Sequence, residues 1–199
     1  MIKIDRLSMD SFKYRTAIEA DAEALVPLIN RAFAVEGQFF TTERIDLAET
    51  LEHLKRGTFL IVEGDNGLAG CNYVEPRGDS GYFGLLSVDP GCQGRGLGRV
   101  LVDQAEEFCR AAGCSKMQIR VLNHRTELPP FYEKLGYSTS CIEEVEQVPS
   151  ARMHIIFSLW KRNCAKTLRY GLQITDLLPR GYPNRSLSPN AFRQLRRPG

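Results

Sequence analysis

Residues 88–108 read VDPGCQGRGLGRVLVDQAEEF. An apolar strand ends at Asp89-Pro90, four glycines follow within eight residues, and a helix then begins. Glycines crowded at a strand-to-helix junction let the backbone approach a ligand closely. The helix start behind them presents unpaired N–H groups and partial positive charge, which suits a phosphate. Two phosphate motifs are excluded by the residues themselves. The dinucleotide fingerprint G-x-G-x-x-G fails because Arg99 stands at its last glycine. The P-loop fails because Leu97-Gly98 stand where Lys and Ser/Thr belong. The order that remains is Gln93-Gly94-Arg95-Gly96-Leu97-Gly98, directly after a strand.

Working outward, residues 11–17 (SFKYRTA) read as a first strand. Asp21 and Glu23 open an amphipathic helix with Leu25, Leu28, Ile29 and Phe33 on its apolar side, and Pro27 inside it predicts a kink. A second helix is predicted from about Thr41-Thr42-Glu43, carrying Ile45, Leu51 and Leu54 and stopping at Gly57. Residues 58–63, 68–75 and 82–88 are apolar runs joined by short Gly/Asp turns, an antiparallel meander. The glycine stretch leads into a helix over about 96–112. Residues 117–122 follow as a strand reached through that helix, hence parallel to 82–88. A short helix over 127–135 and two more strands complete the order β-α-α-β-β-β-α-β-α-β-β, a mixed α/β domain.

The 199 residues suffice for one domain with a tail. Residues 1–162 form the expected domain. Residues 163–199 carry seven Lys/Arg and one Asp, a net +6 that leaves the body at −4. This basic, proline-containing extension reads as loosely ordered and lacks the aromatic-basic interleaving of a nucleic-acid arm. No apolar run is long enough to span a bilayer, and the charged N-terminus lacks a signal-peptide core, so the expected location is cytoplasmic. The six cysteines form no CxxC pair and the three histidines have no metal spacing, so reduced structural thiols and no metal are expected.

The Q-x-x-G-x-G loop after a V-x-P strand end resembles the acetyl-CoA signature of the GNAT superfamily of N-acetyltransferases. The likeness extends to the paired N-terminal helices, the meander, Asn123 after the next strand, and Phe131-Tyr132-Glu133-Lys134-Leu135-Gly136-Tyr137. It covers about residues 13–161. It implies a mixed, mostly antiparallel central sheet with helices on both faces, and acetyl-CoA as co-substrate. Gln93, Gly94, Arg95, Gly96, Leu97, Gly98 and Arg99 would then cradle the pyrophosphate. Backbone groups of Leu86, Ser87 and Val88 would line a splay between the two parallel strands and bond the pantetheine arm, with Asn123 on its other side.

The resemblance also implies an amine acceptor, direct transfer in a ternary complex, and Tyr132 as the acid that protonates the leaving thiolate. A phenol suits that task, since its proton survives at neutral pH. The base is open in the residues. Many relatives use a glutamate on the strand before the loop, but YFGLLSV has Tyr82 or Gly84 in that region and no carboxylate. Glu36, between the first two helices on what similar folds use as the acceptor wall, is preferred over Glu75 or a water chain. Cys92 lacks a neighbouring His for a covalent route, and His124 reads as a loop residue. Glu36, Asp46 and Glu75 near the mouth point weakly to a cationic acceptor. The rival reading is a catalytically silent acyl-CoA-binding module. A homodimer is compatible with either.

Overall fold

The computed structural model describes residues 12–145, 150–152 and 155–163. Of the expected tail 163–199, Asn163 is the last residue of a strand; residues 164–199, with Cys164, and His154 lie outside the described residues.

Strand β1 covers Lys13–Thr16 and leads through a 3₁₀ turn at Glu19–Asp21 into helix α1, Ala22–Phe33. Leu25, Leu28 and Ile29 are fully buried on one side of α1. Pro27 lies on its exposed side, and the helix runs on through it to Phe33. On an exposed side, a carbonyl that a proline cannot serve is open to hydration.

A second 3₁₀ turn, Ala34–Gln38, precedes α2, Leu47–Arg56. This corrects the expected start near Thr41. The helix is opened instead by a capping box: Asp46 Oδ1 accepts from the Glu49 N–H at 2.7 Å, and Glu49 Oε2 from the Asp46 N–H at 3.2 Å. Thr41 and Glu43 serve the preceding loop, bonding Ser150 O and Asn30 Nδ2.

Strands β2 (Thr58–Gly64), β3 (Gly67–Arg77) and β4 (Ser80–Val88) form the meander. Helix α3 (Leu97–Ala111), β5 (Lys116–Leu122), α4 (Leu128–Lys134), β6 (Ser138–Val145) and β7 (Ile155–Asn163) follow. The seven strands lie in the order β1-β2-β3-β4-β5-β7-β6, and only the β4–β5 pair is parallel. The expected mixed, mostly antiparallel sheet with helices on both faces is therefore observed.

Successive β2 residues feed both sides: Phe59 and Ile61 pack under α1, while Leu60 and Val62 pack under α3. All four are completely buried, as a strand covered on both faces requires.

Two irregularities shape the middle of the sheet. Leu85 adopts φ +52° and is the one non-glycine residue in the left-handed region among the described residues. The β3–β4 register slips there, with Cys71 opposite Ser87 but Tyr73 opposite Gly84. One extra residue on β4 makes this a bulge. Phe83 consequently packs toward α3 and Leu85 toward α1, although they are two apart. The second irregularity is the brevity of the parallel pairing. It comprises Ser80–Lys116, Gly81–Met117 and Tyr82–Gln118, after which β4 and β5 separate.

Candidate active site in the gap between β4 and β5

The N–H of Asp89 donates to Ala69 O on β3 at 2.9 Å. Antiparallel bonding alternates, so the Ser87–Cys71 pair shares that side, while Leu86 and Val88 turn their N–H and C=O groups away from β3 and toward β5. Ser87 is thereby committed to the ladder, and its Oγ donates to Leu85 O at 3.0 Å. Val88 O accepts from Gln93 Nε2 at 3.2 Å, which leaves the Val88 N–H facing the gap.

Beyond β4, Asp89 Oδ1 accepts from the Gly91 N–H at 3.0 Å and caps a 3₁₀ turn over Pro90–Cys92. Its other oxygen takes Arg31 of α1 at 2.9 Å. Those two bonds, Arg31 first, hold the Asp89 carboxyl below the usual carboxylate range. Gly94 and Gly96 then adopt φ +78° and +83°, and Gly96 caps α3. Their lack of a side chain is demanded by the backbone.

Gly98 is different. A Cβ there would meet only Phe131 at 3.8 Å and Val88 at 3.9 Å, ordinary contacts, so the fold itself does not require glycine. Among the described residues no group accepts from the N–H groups of Gly94, Arg95, Gly96, Leu97 or Gly98. Five free donors at a helix N-terminus fit a pyrophosphate. Arg95 is exposed beside them; Arg99 is half-buried with its Nε 3.8 Å from Asp103.

Asn123 follows the end of β5, its N–H bonded to Ile156 O at 2.9 Å. Its Oδ1 lies 2.5 Å from Ser158 Oγ on β7. That distance fits O–H···O and is too short for N–H···O, so the hydroxyl donates, and the Asn123 Nδ2 donors stay uncommitted among the described residues. Tyr132 on α4 is 4% exposed, packed against Phe83 (6.2 Å between centroids), Phe131 and Tyr137. Its hydroxyl makes no hydrogen bond among the described residues. Burial pushes the phenol well above its ordinary range, with Arg125 pulling the other way.

Glu36 sits in the Ala34–Gln38 turn, 8% exposed. Its Oε1 accepts from Arg125 Nη1 at 2.9 Å. Burial raises its carboxyl pKa, and the charges of Arg125 and Arg44 only partly oppose that.

Glu75 is locked elsewhere, accepting from Arg77 at 2.7 Å and Tyr73 at 3.1 Å. Burial works against its charged form, yet those bonds hold it below the ordinary value. Of the three carboxylates expected to favour a cationic acceptor, Glu36 and Glu75 thus pair with arginines and Asp46 caps α2. Cys92 packs against the apolar cluster under α3, and His124 packs tilted against Phe39, 5.2 Å between ring centroids, with a buried Nδ1 that has no partner among the described residues.

Sequence reasoning missed Arg125, Arg31 and Ser158. Each acts across more than 30 residues of chain. None sits in a motif that could have flagged it. The bulge at Leu85 likewise had no local signal, since a leucine at positive φ contradicts propensity.

The family model of the acetyltransferase (GNAT) family matches residues 23–137. The chain belongs to that family. It is 30% identical over 136 residues to a mycothiol acetyltransferase from Beutenbergia cavernae, an alignment covering 66% of this chain and 46% of that protein. It is also 32% identical over 98 residues to an acetyltransferase from Yersinia enterocolitica, covering 48% of this chain and 67% of that one. The chain spans less than half the length of the mycothiol acetyltransferases it matches. Among solved structures, the ribosomal-protein-S18-alanine N-acetyltransferase from Escherichia coli superposes with a TM-score of 0.65 at 15% identity, covering 81% of this chain and 99% of that one. A phosphinothricin acetyltransferase from Sinorhizobium meliloti, solved in complex with acetyl-CoA, gives 0.61 at 15%, covering 77% and 88%. No helix among the described residues is long and apolar enough to cross a membrane.

Proposed function

We propose that this chain binds acetyl-CoA in the gap between β4 and β5 and transfers its acetyl group directly to a primary amine. The observation that carries the reading is the free donor row from Gly94 to Gly98, at the mouth of two parallel strands that part after three residue pairs. Gln93 through Arg99 take the pyrophosphate. The edge groups of Leu86 and Val88 and the amide of Asn123 take the pantetheine arm, in place of the missing strand pairing. Acetyl-CoA supplies an activated acyl thioester, and the chain's own residues manage the protons.

Glu36, raised by burial, accepts a proton from the ammonium and makes it a nucleophile. The amine nitrogen bonds to the acetyl carbon as the carbon–sulfur bond breaks. The Tyr132 phenol gives the leaving sulfur its proton and recovers one from the nitrogen. Amine and thioester thus become amide and thiol, and Glu36 returns its proton to water. A backbone N–H facing the gap, with Val88 the nearest free one to the loop, stabilises charge building on the carbonyl oxygen.

The catalytic unit of this proposal is residues 1–162. Its proposed setting is the cytoplasm, where Cys71, Cys92, Cys109, Cys114 and Cys141 would remain thiols.

Release of free CoA thiol over a panel of amines tests the reading. Amine-dependent release that falls about 100-fold in Tyr132→Phe supports it. No release above the rate in water with any amine leaves a silent acyl-CoA-binding module. Release unaffected by Tyr132→Phe removes the acid assignment alone.

A further inference from the structure

The segment from Ala34 to Thr41 crosses the end of the sheet where β4 and β5 part. At its start, Arg31 ties the last turn of α1 to Asp89, just past β4. At its far side, Phe39 packs with Leu122 at the end of β5 and with Phe157 of β7. The Thr41 N–H donates to Ser150 O at 2.7 Å and the Arg152 N–H to Phe39 O at 2.8 Å, so the crossing is fastened at both ends. Within the segment, Glu36 pairs with Arg125 from the loop after β5, with side chains 10% and 16% exposed.

Arg125 is gripped from two sides. Its Nε donates to Glu127 Oε1 at 2.5 Å and its Nη1 to Glu36 Oε1 at 2.9 Å. Its Nη2 and the Oε2 of Glu36 make no hydrogen bond among the described residues. The pair therefore keeps one unused group of each kind, Nη2 for an anion and Oε2 for a cation. A guanidinium fixed by two carboxylates is pre-oriented, and its remaining Nη2 donors can take a further carboxylate with little loss of side-chain freedom. Arg125 is also a cation whose charge acts on the Tyr132 phenol, so it lies within electrostatic reach of the group assigned to the leaving thiolate. Glu36 and Glu127 balance Arg125 and Arg44 in charge, so a polyamine would add positive charge that nothing in the cluster offsets. A zwitterion adds no net charge to a half-buried pair and engages both groups.

We propose that Arg125 selects the acceptor, and that the acceptor is a small α-amino-acid-type molecule with a carboxylate on the carbon that bears its amine. Its ammonium sits on Glu36 and its carboxylate on Arg125. This rests on the acetyl-transfer reading above and adds to it the acceptor class.

The test compares kcat/KM for thiol release between α-amino acids and their α-carboxamides, each corrected for its fraction of free amine. Wild type is expected to favour the carboxylate about tenfold or more. Arg125→Gln should bring that ratio near one, while Arg125→Lys keeps part of it. A purely structural Arg125 would lower both rates together and leave the ratio unchanged, which overturns the inference. If Arg125→Gln does not fold, the wild-type ratio still decides. Amines without a carboxylate, such as a diamine or a lysine side chain in a peptide amide, reacting as fast as the amino acids would also overturn it, while acetyl transfer itself stands. If no amine speeds thiol release, acetyl transfer falls and this inference with it.

Discussion

Glu36 and Tyr132 are two ionisable groups that burial shifts in the same direction, with different consequences. Glu36 must be ionised to accept a proton. Its pKa lies above the ordinary carboxylate value, so kcat/KM is expected to fall as pH drops through a point above about 4.3. Glu36→Gln removes that acid limb from the pH profile and lowers kcat by about 100-fold or more. Tyr132 must stay protonated, and its upward shift keeps it so across the neutral range; no alkaline limb from it is expected below about pH 10.

Asn123 adds a third residue-scale expectation. Ser158→Ala frees the Asn123 oxygen and lets the amide turn, so KM for acetyl-CoA rises with little change in kcat. In an Asn123→Ala background the same change should have no further effect, which a double-mutant cycle measures. Tyr132 and Asn123 were legible in the sequence because they lie in or beside a recognisable segment. The pairs Glu36–Arg125 and Asn123–Ser158 were not, because contact between residues distant along the chain is a property of the folded sheet.

The glycine loop is the element most nearly complete in the sequence. Its spacing excludes two phosphate motifs and leaves the one that matches the observed turn, free donors and left-handed backbone at Gly94 and Gly96. The substitutions of its glycines should separate folding from binding. Gly94→Ala places a side chain at φ +78° and is expected to cost about 1–2 kcal/mol in a urea melt. Gly98→Ala meets only ordinary contacts, so it should leave stability within about 1 kcal/mol while weakening acetyl-CoA binding by calorimetry.

The β4 strand was readable as a strand but not as a bulged one. Alternation predicts Phe83 and Leu85 on one face, and the extra residue puts them on opposite faces. The start of α2 was misread for a comparable reason. Thr41-Thr42-Glu43 looks like a cap, yet Asp46 and Glu49 form the reciprocal pair, and the threonine is drawn to Ser150 instead.

At the scale of the whole molecule, one sheet is clad on both faces, by α1 and α2 on one side and α3 and α4 on the other. The alternation in β2 and the apolar stripes of α1 and α3 made this architecture legible, including the parallel placement of β5. How far β4 and β5 pair was not legible, because it depends on where a crossover helix delivers the second strand. Leu101 is completely buried in the larger cluster between α3 and the sheet. Leu101→Ala is expected to lower unfolding free energy by about 2–5 kcal/mol, read by denaturant titration, without altering the acceptor preference.

The central claim is that acetyl-CoA occupies the gap between β4 and β5, held by the donors at the start of α3. Titrating acetyl-CoA into ¹⁵N-labelled protein and following the backbone amides tests it most directly. The account predicts saturable shifts concentrated at Val88, Gly94–Gly98 and Asn123, with β1 and β6 left in place. Binding that leaves the Gly94–Gly98 amides unmoved, or no binding at all, would contradict it.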